Sequence, residues 1–264
     1  MPARSDVEAA AVAFQTYLRS LSRSTQAYLA VTWEALPGMT EAIAWDWAAQ
    51  VAPVVERAQG LVAGATDSYV SIATGEPAAG LAAEDFSSEK LRGVPAAELW
   101  TRPPREVWWQ LSKGAAFVAA MRMGLDRAKD LAATNLQLAH THAFRLVVPT
   151  PTFRRKTRAG GCDLCVLAAG RPAKASELMA IHAHCHCVAV PVERGADPGP
   201  MTNAANRATA AKAEAEGTEV AVHEHGEIGP VLGRAGNDFA GPHRVASAKR
   251  VDEQATAVES EIVG

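Results

Sequence analysis

Between Cys162 and Cys187 the chain holds all four of its cysteines and three of its eight histidines. The stretch reads Cys162-Asp163-Leu164-Cys165, then sixteen residues, then His182-Ala183-His184-Cys185-His186-Cys187. C-x2-C-x16-H-x2-C is the spacing of a structural zinc site: one turn brings two thiolates to a tetrahedral ion and a second turn closes the cage. Zinc takes four ligands, and the stretch offers seven. Cys162 and Cys165 are the firmest, and His182 with Cys185 or Cys187 completes the set. His184 and His186 are weaker claimants, because alternation along an extended segment points them away from their neighbours. Two disulfides would also use four cysteines, but no secretory signal opens the sequence, which favours a reducing compartment. A redox C-x2-C normally follows a strand of a βαβ unit, whereas here a basic segment precedes it. Buried thiols alone do not explain the flanking histidines. A closed, structural ion is therefore expected rather than a catalytic one.

The rest of the chain reads as helix. Alanine is the commonest residue and aromatics are only 6%, a composition that favours closely packed helices. Ser5, with Asp6 and Glu8 behind it, can cap a first helix. Its apolar positions Val7, Ala10, Ala11, Phe14, Tyr17, Leu18 and Leu21 recur at helical spacing, and the pattern stops at Pro37-Gly38. Thr40 and Glu41 open a second helix that Pro53 is expected to kink or end. A third is expected over Val54 to Ala73. Gly75 to Pro95 is a break, with a short helical piece around Leu81–Phe86. Pro103-Pro104 starts another helix, since the amides of a first turn are unpaired anyway.

From Ala115 to about Leu146 runs the longest pattern. Phe117, Met121, Gly124, Ala128, Leu131, Asn135, Leu138 and His142 step by four and three alternately, as in a heptad. Asn135 on that line either pairs with a neighbour or sits at a solvated edge. His140 and His142 are two apart and do not share a helix face, so they read as surface or satisfied core histidines. After Leu146 the texture becomes extended, then basic at Arg154, Arg155, Lys156 and Arg158. A basic run beside a knuckle can hold phosphates, but a solvated loop is the commoner origin of such a cluster. Val188 to Val192 reads as a strand closing the module, and Val220 and Val222 alternate like another, with Gly229-Pro230 as a turn.

These readings divide the chain into a helical region 1–100, docking helices 101–148, a Cys/His module 149–194, a linker 195–217 whose Ala-rich part from Thr202 to Gly217 reads as a loose helix, a short β segment 218–243 and a flexible tail 244–264. The fold class is mainly α, with a long heptad-like helix followed by a small α+β zinc-knuckle module and a short β tail. A net charge of −3 creates no global field toward nucleic acid or membrane, and no apolar run is long enough to span a bilayer.

Enzyme motifs are scarce. His223-Glu224-His225 is not H-E-x-x-H, because its histidines are two apart rather than four. A zinc deaminase needs H-x-E before P-C-x-x-C, and here the C-x2-C comes first without the proline. No G-x-S-x-G, P-loop or G-x-G-x-x-G occurs. A zinc-stabilised nuclease would need a metal-binding histidine pair beyond the knuckle, and none can be placed.

Three segments together carry a family resemblance. They are Leu131 to Arg145, Gly160 to Ala168 with the first C-x2-C, and Leu178-Met179-Ala180-Ile181-His182 through Cys185-His186-Cys187. With His223 to Leu232, they resemble the phage Mu protein F-like minor capsid proteins of tailed phages, in the form found beside the portal gene of actinobacterial phages. The resemblance covers roughly Arg105 to Pro242. Its metal pattern falls on Cys162, Cys165, His182, Cys185 and Cys187, while His184 and His186 fall on positions that vary. Arg171-Pro172-Ala173-Lys174 departs from the aromatic-plus-His stretch expected between the two halves.

The resemblance implies a minor component of the phage head, inside the virion near the portal and in host cytoplasm during assembly. Its implied cofactor is structural Zn2+. Its implied partners are the portal, the major capsid or scaffold protein, and packaged DNA. Such proteins are also labelled capsid maturation proteases, largely from gene position. No catalytic residue in this sequence supports that activity.

Overall fold

A computed structural model describes residues 2–150, 152–157, 163–170, 172–178, 187–192, 204–218, 220–225 and 229–235. The architecture is mainly helical. Helix α1 (Arg4–Glu34) buries Ala11, Phe14, Leu18, Ser22, Thr25, Leu29 and Trp33, a single stripe at steps of three and four. Ala3 rather than Ser5 stands at its N-cap; Ser5 lies inside the helix, where its hydroxyl turns to Asp6 at 3.4 Å.

Helix α2 (Glu41–Thr74) starts as expected, with Thr40 Oγ1 accepting from the Ile43 amide at 3.3 Å. It does not end at Pro53. The two helices expected on either side of this proline are one, 34 residues long, closing at Gly75 with φ +78°. Pro53 and Ala49 both lie on the exposed face, so the Ala49 carbonyl that loses its partner can turn to water. Val51, Ala52 and Val55 hold the opposite face in the core. Packing thus overrides the local break.

The segment after α2 folds back along it. A 3-10 turn at Ala83–Phe86 is followed by α3 (Ser88–Arg92), α4 (Ala96–Trp100) and α5 (Arg102–Ser112). Asp67 fixes the return: its carboxylate accepts from the amides of Ala79, Gly80 and Leu81 at 2.7–3.3 Å. Gly60 lets the turn approach, since a Cβ there would stand 2.7 Å from Ala83 Cβ.

Helix α6 (Phe117–Val147) is the axis of the molecule, packed against α1, α2 and α5. Every residue from Leu131 to Gln137 is buried. The heptad line is therefore too narrow a description: the middle of α6 is enclosed on all sides, and Phe117 at its start is 48% exposed. Asn135 takes the partnered option, its Oδ1 accepting from Arg92 Nε at 2.6 Å. Gly124 admits the closest helix contacts, since a Cβ would meet Val107 Cγ2 at 2.5 Å and Trp33 Cζ2 at 2.7 Å.

Two cores run along the bundle. One end holds Trp33, Trp47 and Trp100 with Leu29, Val51, Leu99 and Leu131. The edge-to-face pairs Trp33–Trp47 and Trp47–Trp100 have centroids 4.8 and 6.2 Å apart. The other end holds Phe14, Tyr69, Phe86, Leu136 and Phe144 together with residues of a small sheet.

That sheet has the order β2-β1-β3 and is antiparallel, built from β1 (Thr152–Lys156), β2 (Ala173–Lys174) and β3 (Val188–Val192). The basic segment expected as a solvated loop is β1, with Arg154 opposite Val190 and Arg155 opposite Ala189. Phe153 packs on Phe144 with ring centroids 6.0 Å apart, and Tyr69 Oη donates to Ala189 O at 3.0 Å. Helix α7 (Asp163–Ala169) lies on β1, and α8 (Ala204–Ala215) packs on α7. Helix α8 falls in the Ala-rich part of the expected linker 195–217, where a loose helix was read, and Asn206 Nδ2 ties it back by donating to Thr157 Oγ1 at 3.0 Å. A hairpin of β4 (Val220–His225) and β5 (Gly229–Arg234) completes the described chain. Gly229 and Pro230, expected as a turn, open β5 and pair with His225 and Glu224. The expected tail 244–264 lies outside the described residues.

Candidate metal centre

The strand pair β1–β3 positions the cysteines. Its last pair is Lys156 with Val188, so Cys187, one residue before β3, sits at the end of the sheet where β1 leads toward α7. Cys165 is the third residue of α7. The two cysteines, distant in sequence, meet in one buried cluster with Leu164 and Ala168 packed against it. They are 2% and 4% exposed. This brings together one residue from each half of the Cys/His stretch. Cys162, His182, Cys185, His184 and His186 lie outside the described residues.

Two soft thiol donors in one buried cluster are of the kind a closed zinc site uses. Among the described residues no group of three or more His, Cys, Asp or Glu side chains could hold a metal. The remaining candidate donors are close in sequence to the two that meet.

The neighbouring basic residues serve the framework. Arg154 is 5% exposed, and its Nη1 donates to Ala169 O at 3.2 Å. A cation at the last carbonyls of α7 is favourably placed against the helix dipole. Arg155 is 6% exposed, with its guanidinium 5.7 Å from the Phe153 ring centre. Burial takes both off the surface where a phosphate backbone would meet them. Lys156 is half-buried, its carbonyl accepting from Gln15 Nε2 at 3.4 Å. Arg158 lies outside the described residues.

Of the α6 histidines, His140 is buried in the core and His142 is half-buried at its edge. Thr66 Oγ1 gives its one proton to Val62 O at 2.7 Å, so toward His140 Nδ1, at 3.2 Å, it accepts, and Nδ1 carries the proton. The His140 ring lies between Phe14 and Phe144. His142 packs edge-on to Phe86. Burial, followed by the charge of Arg145, holds its pKa below the ordinary histidine range, with Asp85 opposing. Burial also pushes the Tyr69 hydroxyl up, so it stays a donor to Ala189.

The buried serines have structural partners. Ser22 accepts from Gln26 at 3.0 Å, and Ser88 donates to Gln59 at 3.4 Å. Sequence reasoning did not find Asp67, whose role depends on a loop twelve to fourteen residues ahead. It also missed the partners of Asn135 and His140, which only helix packing supplies.

No helix among the described residues is long and apolar enough to cross a membrane. Against known proteins, no family model matches the chain, and neither curated proteins nor solved structures give a match.

Proposed function

We propose that this chain is a minor head protein of a tailed bacteriophage that docks on the portal or the inner capsid during head assembly. In this reading its Cys/His stretch holds a structural zinc ion. The observation that supports the metal staple is the meeting of Cys165 and Cys187 in one buried cluster. The head role rests on the sequence resemblance carried by the Cys pattern, the preceding helix and the His223–Leu232 segment. The residues assigned to the ion are Cys162, Cys165 and His182, with Cys185 or Cys187 as the fourth. The ion would supply no chemistry to a substrate, only a link between the α7 turn and the start of β3.

Two measurements test the reading separately. Elemental analysis of the purified chain should find one zinc per chain, and Cys165→Ser should lower that occupancy. Metal-free protein with four reactive thiols would sink the staple. For the role, purified portal protein should retain this chain in a pull-down, and a portal that retains none of it would count against docking. The maturation-protease reading would replace docking only if the chain cleaved a capsid precursor in a purified mixture.

A further inference from the structure

Phe14 stacks on Tyr69 with ring centroids 4.7 Å apart, and Trp47 Nε1 donates to Thr32 Oγ1 at 3.2 Å, so these residues mark where α1 meets α2. Trp33 Nε1, donating to Met121 O at 3.0 Å, and Thr66 Oγ1, 3.2 Å from His140 Nδ1, mark where the two helices meet α6. At about 100° per residue, the side of α2 turned away from α6 carries Val54, Arg57, Leu61, Gly64, Ser68 and Ile72, all exposed. The same side of α1 carries Ala13, Tyr17, Ser20 and Ser24, also exposed. Leu61 is 47% and Ile72 58% exposed, and a Cβ at Gly64 would meet nothing within 4 Å.

The solvent side of a surface helix is normally charged. Here Arg57 is the only exposed charge of α2 between Gln50 and Thr74, and Arg19 and Arg23 of α1 stand on the flank away from α2. Steps of three and four along an open, charge-poor face are the seam of a helix–helix contact. Among the described residues neither Arg57 nor Glu76, exposed just past the C-cap of α2, has an ion pair.

We propose that this face is the interface between two copies of this chain, with α2 crossing its counterpart antiparallel about a two-fold axis level with Thr66. In such a contact, if one residue meets a second, the second also meets the first. A single register satisfies the α2 line: Arg57 meets Glu76 of the second copy, Leu61 meets Ile72, and Gly64 meets Ser68. The three pairs are centred within one residue of each other, so charge and apolar matching agree. Gly64 and Ser68 at the crossing let the backbones approach, and the long side chains lie outside them. The same two-fold lays α1 on α1. The exposed acids Asp46 on α2 and Glu84, next to the Ala83 that abuts Gly60, flank the face. In this register each lies well along α2 from its own counterpart, so the acids are not opposed. From Val54 to Glu76 the face runs about 33 Å at 1.5 Å per residue, and two helices side by side make it about 20 Å wide. That is on the order of 650 Å² per copy, against about 800 Å² per partner in a stable complex. An anionic partner such as nucleic acid would find only Arg57 on these lines.

The test is sedimentation equilibrium of the full chain over a range of concentrations. A monomer–dimer equilibrium with a dissociation constant on the order of micromolar is expected. Leu61→Glu and Ile72→Glu each place a charge in the seam and should raise that constant by roughly tenfold or more. Arg57→Glu should raise it roughly tenfold, and Arg57→Glu combined with Glu76→Arg should restore it. All four positions are exposed, and circular dichroism checks that the variants keep the wild-type helix content. A chain that stays monomeric at millimolar concentration overturns the proposal, as does a dimer that Leu61→Glu and Ile72→Glu leave intact. An Arg57→Glu variant that dimerises like wild type, or is not restored by Glu76→Arg, overturns the antiparallel register. A monomeric chain whose retention by the portal is abolished by Leu61→Glu would assign the face to that partner instead.

Discussion

Single residues in this protein matter where two elements come closest. Gly124 is the sharpest case, because Val107 from α5 and Trp33 from α1 already occupy the space of a Cβ. Gly124→Ala should destabilise by about 1–3 kcal/mol, the usual cost of overpacking, read as a lower urea midpoint with unchanged slope. At His142 the expected effect depends on pH. Its folded pKa lies below that of the unfolded chain, which is about 6.5. Above that value both states are neutral and the group has no effect. As pH falls through it, the unfolded chain takes up the proton first, so stability drops until the folded pKa is passed. His142→Gln should therefore flatten the decline in melting temperature below neutrality, and an unchanged profile would remove His142 as its source.

Among the elements, α2 shows how far packing can override a local signal. The proline interrupts its hydrogen-bond ladder on the solvent side, while the buried side runs from Ala44 to Ala73 without a gap. A helix-interior proline costs about 3 kcal/mol, and Pro53 is exposed, so little packing is lost with it. Pro53→Ala should raise the urea midpoint, by about 1–3 kcal/mol of stability. A fall would show that the ring makes contacts that matter. The helix ends, by contrast, follow local chemistry closely. Thr40 caps α2, Gly75 closes it in the left-handed region, and Pro103 and Pro104 stand in the first turn of α5.

At the scale of the molecule, the Cys-bearing sheet is not an appended module. Phe153, Leu178, Val188, Ala189 and Val190 belong to the same core as Phe14, Tyr69 and Phe144. Sheet and bundle should therefore unfold together. Phe153→Ala, at a residue 2% exposed, should cost about 3–5 kcal/mol. It should shift far-ultraviolet circular dichroism and tryptophan fluorescence by the same amount, although all six tryptophans lie in the bundle. Two separate transitions would contradict a shared core.

The sequence by itself determined where α2 and α5 begin, the buried line Ala11, Phe14 and Leu18 of α1, and that the cysteines gather in one stretch, but it misplaced the cap of α1 and counted Tyr17 and Phe117, both exposed, among the inner positions. The correct placements follow from capping chemistry, a 3.6-residue period and spacing, all of which are local. The strand at Val188–Val192 was legible for the same reason, through its run of β-branched residues. Only the tertiary structure decided that Pro53 would be spanned and that Arg154 and Arg155 would be buried in a strand. It alone also brought Cys165 against Cys187. In each case the deciding energy comes from contacts between residues far apart in the chain. A basic segment read alone has every reason to be in water. It goes inside because Phe153 between its neighbours docks on Phe144, and because the Ala169 carbonyl waits for the guanidinium of Arg154.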